Sequence, residues 1–191
     1  MKKPILKSEK IVAKNGFIRV LSRDYEYNNK RLNYLISGKD IDNNRETDAV
    51  MILGLTKDKK VIYIREYFIG VGEFHIALPA GMIEFGDDEE KTVKKELKEE
   101  AGYETDKIIY LGEAVMHKYM YGKIKYFLAL ECEDTEEQEL EDGEIIEVKL
   151  AEIKEFEEKI ISGEVSCAHT ITAFYRAKMK TENFKKFNFN I

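Results

Sequence analysis

The stretch that decides the fold runs from Gly81 to Tyr103 and reads GMIEFGDDEEKTVKKELKEEAGY. Its second half has the residue spacing of a short helix that ends at a glycine, Gly102. Apolar residues recur there every four positions, as they do on the buried face of a helix: Val93, Leu97 and Ala101. This segment therefore predicts a helix packed against a core and preceded by a glycine-containing loop.

Three carboxylates lie beside that apolar stripe, at Glu96, Glu99 and Glu100. Because successive helix residues turn by about 100°, the three span about a third of the circumference. Such a cluster is unfavourable unless a positive charge lies in it, and hard divalent cations prefer carboxylate oxygens. The segment therefore predicts a site for Mg²⁺ or Mn²⁺. The alternative is an ordinary solvated Glu/Lys helix, which does not explain the flanking glycines or the Leu-Pro-Ala sequence in front of them.

The spacing resembles the Nudix box, in which a glycine is followed at fixed offsets by a Glu, an Arg-Glu pair, a Glu-Glu pair and a second glycine. Gly81 opens the pattern and Glu96–Tyr103 closes it in register. Two positions depart from the box, since Asp87 replaces its early Glu and Lys95 replaces its Arg. In the family these two residues commonly pair. The resemblance therefore implies that Asp87 and Lys95, with Gly81 and Gly102, support the loop–helix turn, although lysine lacks the bidentate guanidinium group.

The resemblance extends to the ADP-ribose pyrophosphatases. Similar segments are Arg65-Glu66-Tyr67, residues 70–74, Leu78-Pro79-Ala80-Gly81 and residues 140–148. The chain departs from that subfamily at Ala77, where an acidic residue is common, and at residues 116–122, which lack a Ser-Pro-Gly sequence. The resemblance implies an α+β fold, a Nudix α/β/α sandwich with a mixed sheet over residues 45–191. It also implies a small N-terminal antiparallel β-sheet over residues 1–44 that forms a homodimer.

What the resemblance implies about activity is metal-dependent hydrolysis of a nucleoside diphosphate linked to a sugar, with ADP-ribose giving AMP and ribose 5-phosphate. The implied metal ligands are Glu96, Glu99, Glu100 and the main-chain carbonyl of Ala80. Candidate substrate-binding residues are Arg65, whose guanidinium suits a phosphate, and Glu66. Two alternatives stay open: another nucleotide-sugar diphosphatase, acting on GDP-mannose or a UDP-sugar, and a Nudix sensor that binds a nucleotide without turnover.

Hydrolysis also needs a base that takes a proton from the attacking water. The resemblance to ADP-ribose pyrophosphatases, in which this residue comes from a late loop, implies Asp142 and Glu144 as candidates. Glu99 is a third candidate. Asp142 and Glu144 belong to a run of ten acids over residues 131–147, most of which we expect to be solvated. Gly143 lets the chain bend between the two candidates. The other end of the loop, Thr135–Glu139, has no apolar anchor, so we expect it to be mobile.

Composition narrows the class of protein. The chain has 191 residues, 43% of them apolar, and no stretch long and apolar enough for a membrane helix. Its net charge of −6 argues against nonspecific binding to nucleic acid or to an anionic membrane. Cys132 and Cys167 are too few and too isolated for a disulfide framework, so we expect a reduced cytoplasmic protein.

The remaining pattern predicts three N-terminal strands within residues 9–38, with turns at Asn15-Gly16 and Asn28-Asn29-Lys30, then a polar loop over Gly38–Glu46. Further strands are predicted at Ala49–Leu55, Lys60–Tyr67, Phe74–Leu78, Ile108–Met116, Lys123–Glu131 and Ile145–Leu150. Late helices are predicted at Ala151–Gly163 and Cys167–Lys180. Structural roles are favoured for the three scattered histidines and for six other aromatic residues: His75, His117, His169, Phe17, Tyr25, Tyr27, Phe184, Phe187 and Phe189.

Overall fold

The computed structural model describes residues 2–15, 18–40, 45–46, 48–84 and 86–180. The chain divides into two compact units. The first contains the residues up to Asp48 together with Ala114–Ile124. The second contains Ala49–Glu113 and the residues from Lys125 onward.

The first unit is built on an antiparallel three-stranded sheet of β1 (Ile5–Asn15), β2 (Ile18–Tyr27) and β3 (Lys30–Ser37). Asn28 and Asn29 connect β2 to β3 with φ angles of 50° and 60°. Asparagine tolerates this left-handed region better than most residues, and a two-residue turn of this kind suits the twist of a hairpin. The three strands are therefore those predicted, although β1 begins at Ile5 rather than near Lys10.

Parts of the N-terminal prediction lie outside the described residues. They are Gly16 of the Asn15-Gly16 turn, Phe17, and residues 41–44 and 47. The predicted polar loop contains a short antiparallel pair, β4 (Lys39–Asp40) and β5 (Arg45–Glu46). The tail aromatics Phe184, Phe187 and Phe189 also lie outside the described residues.

The second unit is a mixed sheet with helices. Its elements are β6 (Ala49–Thr56), β7 (Lys60–Phe68), β8 (Glu73–Ala77), β9 (Ala80–Met82), α1 (Glu89–Ala101), β10 (Tyr103–Glu104), β11 (Lys107–Val115), β12 (Lys123–Asp134), β13 (Ile146–Glu152), α2 (Ile153–Ser162) and α3 (Ala168–Lys180). The strand order is β10-β12-β6-β7-β13, with β11 paired to β12, β8 to β7 and β9 to β6. The predicted hairpin of β6 and β7 is confirmed, with Thr56 accepting a hydrogen bond from the Lys60 amide at its turn.

Strand β6 shows why the fold is a sandwich. All eight of its residues are buried, because helices cover both faces of the sheet. Val50 and Ile52 belong to a core cluster with Val93 and Leu97 of α1. On the opposite face, the sulfur of Met51 accepts a hydrogen bond from the Thr170 hydroxyl of α3. The predicted α/β/α arrangement is therefore confirmed.

One late boundary was predicted wrongly. The helix expected from Ala151 begins only at Ile153. Ala151 and Glu152 instead continue β13, where they pair with Val61 and Lys60 of β7. The apolar periodicity of this segment does not reveal where a strand runs directly into a helix. Among the three described helices, none is long and apolar enough to cross a membrane.

Candidate active site

Local signals set the ends of helix α1. Asp88 caps its N-terminus, since its side chain accepts a hydrogen bond of 2.7 Å from the Lys91 amide. Gly102 ends the helix in the left-handed conformation, with φ of 69°, and its amide donates to the Lys98 carbonyl. The predicted stripe of Val93, Leu97 and Ala101 is buried. The helix thereby turns Glu96 and Glu99 away from that buried face and leaves Glu100 at its margin.

Gly81 is required by the close approach of Glu96. A Cβ atom built on Gly81 would lie 1.9 Å from Glu96 Oε1, far inside van der Waals contact. Strand β9, which carries Gly81, pairs with β6 next to the helix. The opening glycine of the box therefore makes room for a carboxylate.

Glu100 is the most buried of the carboxylates, with 5% of its surface exposed. Its Oε2 atom accepts a hydrogen bond of 2.8 Å from the main-chain amide of Ala80. Burial raises the pKa of Glu100 to about 9, against the lowering effect of that bond and with further increases from Glu96 and Glu66. The structure thus places the amide of Ala80 on Glu100, whereas the predicted role of Ala80 concerned its carbonyl.

The neighbouring carboxylates Glu96 and Glu99 also have raised pKa values. Burial raises the pKa of Glu96 to about 7, with Lys95 opposing the rise and Glu99 and Glu144 adding to it. Burial also raises the pKa of Glu99, again against Lys95. Hence several carboxyl groups lie together in partly desolvated surroundings that disfavour their ionised forms.

Glu66 of β7 belongs to the same group. Its pKa is raised by burial and then by Glu144, and its charge in turn acts on Glu100. We define the carboxylate cluster as Glu66, Glu96, Glu99, Glu100 and Glu144. The sequence analysis placed Glu66 near the substrate, and the structure adds its proximity to the predicted metal ligands.

The cluster suits a hard divalent cation because its donors are all carboxylate oxygens and its members repel one another when ionised. In the described part of the chain, no three His, Cys, Asp or Glu side chains stand as a ready-made set of metal ligands. The fit of a cation rests instead on the donor chemistry, on the burial of Glu96 and Glu100, and on the space that Gly81 leaves for Glu96.

The late loop brings one of its two candidate bases to the cluster. Glu144 is half-buried, and its charge acts on Glu66, Glu96, Glu99 and Glu100. Its Oε2 atom accepts a hydrogen bond of 2.8 Å from the Glu141 amide, which fixes the bend at Gly143. Asp142 is exposed, and the leading charges that raise the pKa of Glu96 and Glu100 include Glu144 and not Asp142.

The other end of the late loop is attached to helix α1. The amide of Thr135 donates to the Gly102 carbonyl at 2.8 Å, and the amide of Glu139 donates to the Glu99 carbonyl at 3.0 Å. The side chain of Gln138 donates to the Glu100 carbonyl at 2.5 Å. These polar contacts attach an end of the loop that has no apolar anchor, and its mobility stays a prediction.

The predicted pair of Asp87 and Lys95 was also wrong. Asp87 accepts from Lys91 at 2.5 Å, one helical turn along the same segment. Lys95 instead binds Glu84 at 2.6 Å. Each of the two residues therefore forms an ion pair at the start of α1, but with a different partner.

Arg65 lies on β7 next to Glu66, with its side chain about half exposed. Its guanidinium lies 4.3 Å from the centre of the Phe74 ring, and the nearest carboxylate that pairs with it is Glu147 at 3.9 Å. A stacked guanidinium with a long, exposed ion pair keeps much of its charge available.

The histidines make side-chain contacts within their own units. His75 contacts Ser166 through Nδ1 at 3.2 Å, His169 contacts the Tyr126 hydroxyl at 2.7 Å, and His117 lies against the Tyr119 ring. Tyr25 makes an edge contact with the Tyr34 ring within the N-terminal sheet.

Comparisons with known proteins agree with this geometry. Residues 45–168 match the NUDIX domain family. The chain is 29% identical over 134 residues to an ADP-ribose pyrophosphatase of Bacillus subtilis (strain 168), covering 69% of this chain and 72% of that relative. It is 30% identical over 118 residues to the ADP compounds hydrolase NudE of Escherichia coli (strain K12), covering 61% of this chain and 60% of NudE.

Among solved structures, an ADP compounds hydrolase matches with a TM-score of 0.80 at 22% identity, over 98% of this chain and 97% of that one. This similarity shows a shared fold. The family match covers more than half of the chain and contains the loop, the helix and the carboxylates described above. The chain therefore belongs to the Nudix hydrolase family.

Proposed function

We propose that this Nudix hydrolase cleaves the diphosphate of a nucleoside diphosphate linked to a sugar, with ADP-ribose as the first candidate. The observation that carries the proposal is the carboxylate cluster beside helix α1, in which Glu100 is buried and Gly81 of β9 leaves room for Glu96. The choice of ADP-ribose is supported by relatives named for ADP-ribose and for ADP compounds. The products would be AMP and ribose 5-phosphate.

The proposed cofactor is Mg²⁺ or Mn²⁺, held by Glu96, Glu99 and Glu100, with the carbonyl of Ala80 as a further ligand. When bound, such cations neutralise the charge of a diphosphate and make a water molecule more acidic. The chain contributes the orientation of the ligands. The Ala80 amide fixes one oxygen of Glu100, and the absence of a side chain at Gly81 lets Glu96 approach.

Glu144 is the proposed base. It would take the proton from the water that attacks phosphorus, while the bond between that phosphorus and the bridging oxygen breaks. Its position beside Glu66 and Glu96 supports this role over Asp142, which is exposed. Glu99 stays the alternative if it is not occupied as a ligand.

Arg65 is the proposed contact for a substrate phosphate. Its guanidinium is stacked on Phe74 and holds its carboxylate partner only at 3.9 Å. A planar guanidinium can donate two parallel hydrogen bonds to phosphate oxygens. Glu66 is the next residue in the chain. It is also proposed to lie in the substrate site, because it belongs to the carboxylate cluster.

A substrate panel tests the proposal. ADP-ribose, GDP-mannose and a UDP-sugar would be incubated with the full chain and Mg²⁺, with the Glu100→Gln variant as the inactive control. We expect AMP and ribose 5-phosphate from ADP-ribose, identified by chromatography. Preference for a different nucleotide sugar would reassign the substrate, and tight binding without turnover of any compound would indicate a sensor.

The N-terminal region, residues 1–44, remains a proposed homodimerisation sheet. Its exposed apolar side chains support this assignment, among them Ile5 and Leu35. Light scattering should give a dimer at micromolar concentration, and a monomer with full activity would contradict it. Two free cysteines, Cys132 and Cys167, agree with a proposed cytoplasmic location.

A further inference from the structure

Lys95 connects three separate segments of the second unit. Its Nζ atom lies 2.6 Å from Glu84 Oε1, 3.7 Å from Glu99 Oε2 and 3.9 Å from Glu141 Oε1. Glu84 belongs to the loop before α1, Glu99 to α1 itself, and Glu141 to the late loop. A single ammonium group therefore touches every segment that borders the carboxylate cluster on this side.

The charge of Lys95 reaches further than these contacts. It acts on both Glu96 and Glu99, and for each it is the largest influence that favours the ionised carboxylate. The charges that work against it are negative. For Glu96 they come from Glu99, Glu144 and Glu141, and for Glu99 they come from Glu141, Glu139 and Glu144. Lys95 thus supplies positive charge next to two residues on which several neighbouring acids also act.

We propose that Lys95 is a counter-cation of the carboxylate cluster. Its ammonium group partly neutralises the cluster in the metal-free protein and competes with an incoming divalent cation for the carboxylates. This inference rests on the metal site of the proposed function. Glu84 and Glu141 provide the alternative partners, so that Lys95 can leave Glu99 without losing all its ion pairs.

The side-chain chemistry agrees with a movable charge. Lysine carries a compact ammonium on a flexible four-carbon stem, whereas the arginine of the Nudix box would present a rigid, planar group suited to one bidentate carboxylate. The Lys95 side chain is 30% exposed, so it has room to move. A lysine at this position therefore suits exchange of partners better than permanent bracing.

A competing charge and a residue that only positions Glu99 predict opposite changes in metal affinity when Lys95 is removed. If Lys95 only holds Glu99 in place, its removal should loosen the ligand and weaken metal binding. If Lys95 is a competing charge, its removal should strengthen metal binding, because less repulsion opposes the cation. The sign of the change in affinity therefore separates the two roles.

The experiment is calorimetric titration of the full chain with Mn²⁺ at low ionic strength, in four forms: unmodified, Lys95→Met, Lys95→Arg and Lys94→Met. Lys94→Met is the matched control, since it removes the same charge from the same helix but Lys94 pairs with Glu90 and Asp106 instead. We expect Lys95→Met to bind Mn²⁺ roughly 3- to 10-fold more tightly, as one nearby unit charge at a high effective dielectric would produce. Lys94→Met should change binding by less than about twofold.

A second measurement uses no metal. In EDTA at pH 8, Lys95→Met should unfold at a lower urea concentration than the unmodified chain, because the carboxylates lose their counter-charge, and Lys95→Arg should restore most of the difference. Mn²⁺ binding by Lys95→Met that equals or falls below that of Lys94→Met would overturn the inference while leaving the proposed function intact. A chain that binds no Mn²⁺, in the presence of normal folding, would overturn both.

Discussion

Two acidic segments of this molecule have opposite electrostatic character. On helix α1, burial raises the pKa of Glu100 to about 9. In the run of ten acids over residues 131–147, Glu133 is exposed and pairs with Lys57 at 2.6 Å, and the hydrogen bond from Lys57 lowers its pKa. The longer acidic run therefore contains ordinary surface charge at Glu133, whereas helix α1 holds carboxyl groups whose ionisation is unfavourable. Burial, not the number of acids, identifies the candidate site.

Glu100→Gln should break this contrast most strongly. The amide keeps the shape of the side chain and can still accept from Ala80, but it removes one ligand charge. We expect kcat/KM to fall by roughly 10²–10⁴, since metal ions supply several kcal/mol of transition-state stabilisation. Steady-state hydrolysis of ADP-ribose with Mg²⁺ measures this. Glu133→Gln is the control, and full turnover by Glu100→Gln, or by the unmodified chain in EDTA, would remove the carboxylate cluster from the mechanism.

The second prediction concerns the residue that the acidic run contributes to the carboxylate cluster. Glu144→Gln should lower kcat by roughly 10²–10³ and change KM less, as expected when a base is lost. Asp142→Asn and Glu136→Gln should stay within about threefold, because both residues are exposed. A large loss in Asp142→Asn with none in Glu144→Gln would reverse our assignment, and normal kcat in both would place the base elsewhere.

Gly81→Ala should have an intermediate effect. The new Cβ atom would lie 1.9 Å from Glu96 Oε1, so Glu96 or strand β9 must shift. We expect about 1–3 kcal/mol of destabilisation and a loss of activity of roughly 10- to 100-fold, as ångström-scale misplacement produces. Urea unfolding and kinetics measure the two effects. Gly70→Ala is the control, since nothing lies within 4 Å of its added Cβ, and equal behaviour of the two variants would contradict the steric argument.

The last prediction concerns the free energy of unfolding as a function of pH in EDTA. The pKa of Glu100 is about 9 in the folded protein and near 4.3 in an unfolded chain, so the folded state binds more protons between these values. The free energy of unfolding should therefore fall as pH rises through this window, by roughly 2–4 kcal/mol between pH 5 and 8. Glu100→Gln should show a much flatter profile in urea unfolding. A profile that rises over this range in the unmodified chain, or an unchanged slope in the variant, would contradict the assigned burial.

Prediction from sequence succeeded where the determinants are local. Helix α1 follows from a four-residue apolar repeat and a terminal glycine, both of which act within one segment. Its carboxylates were also identified, because the offsets of the Nudix box fix their position on the helix.

It failed where segments distant in sequence meet through polar groups. The partner of Lys95 is Glu84 rather than Asp87, and the late loop is held by Thr135, Gln138 and Glu139. Such contacts have no period and use common surface residues, so nothing in the chain distinguishes them from solvated charges. The place of Glu66 beside Glu100 likewise depends on the approach of β7 and α1, which no local pattern encodes.

Where the late loop attaches to helix α1, the main chain and the side chain of the same residue have different roles. Glu99 and Glu100 hold the loop through their main-chain carbonyls, which accept from Glu139 and Gln138, while their side chains face the carboxylate cluster. A change of side chain at either position leaves those carbonyls in place. The loop and the helix can thus keep their contact when the side chains of the proposed metal site are changed, so this contact is a starting point for altering which cation the proposed site would prefer.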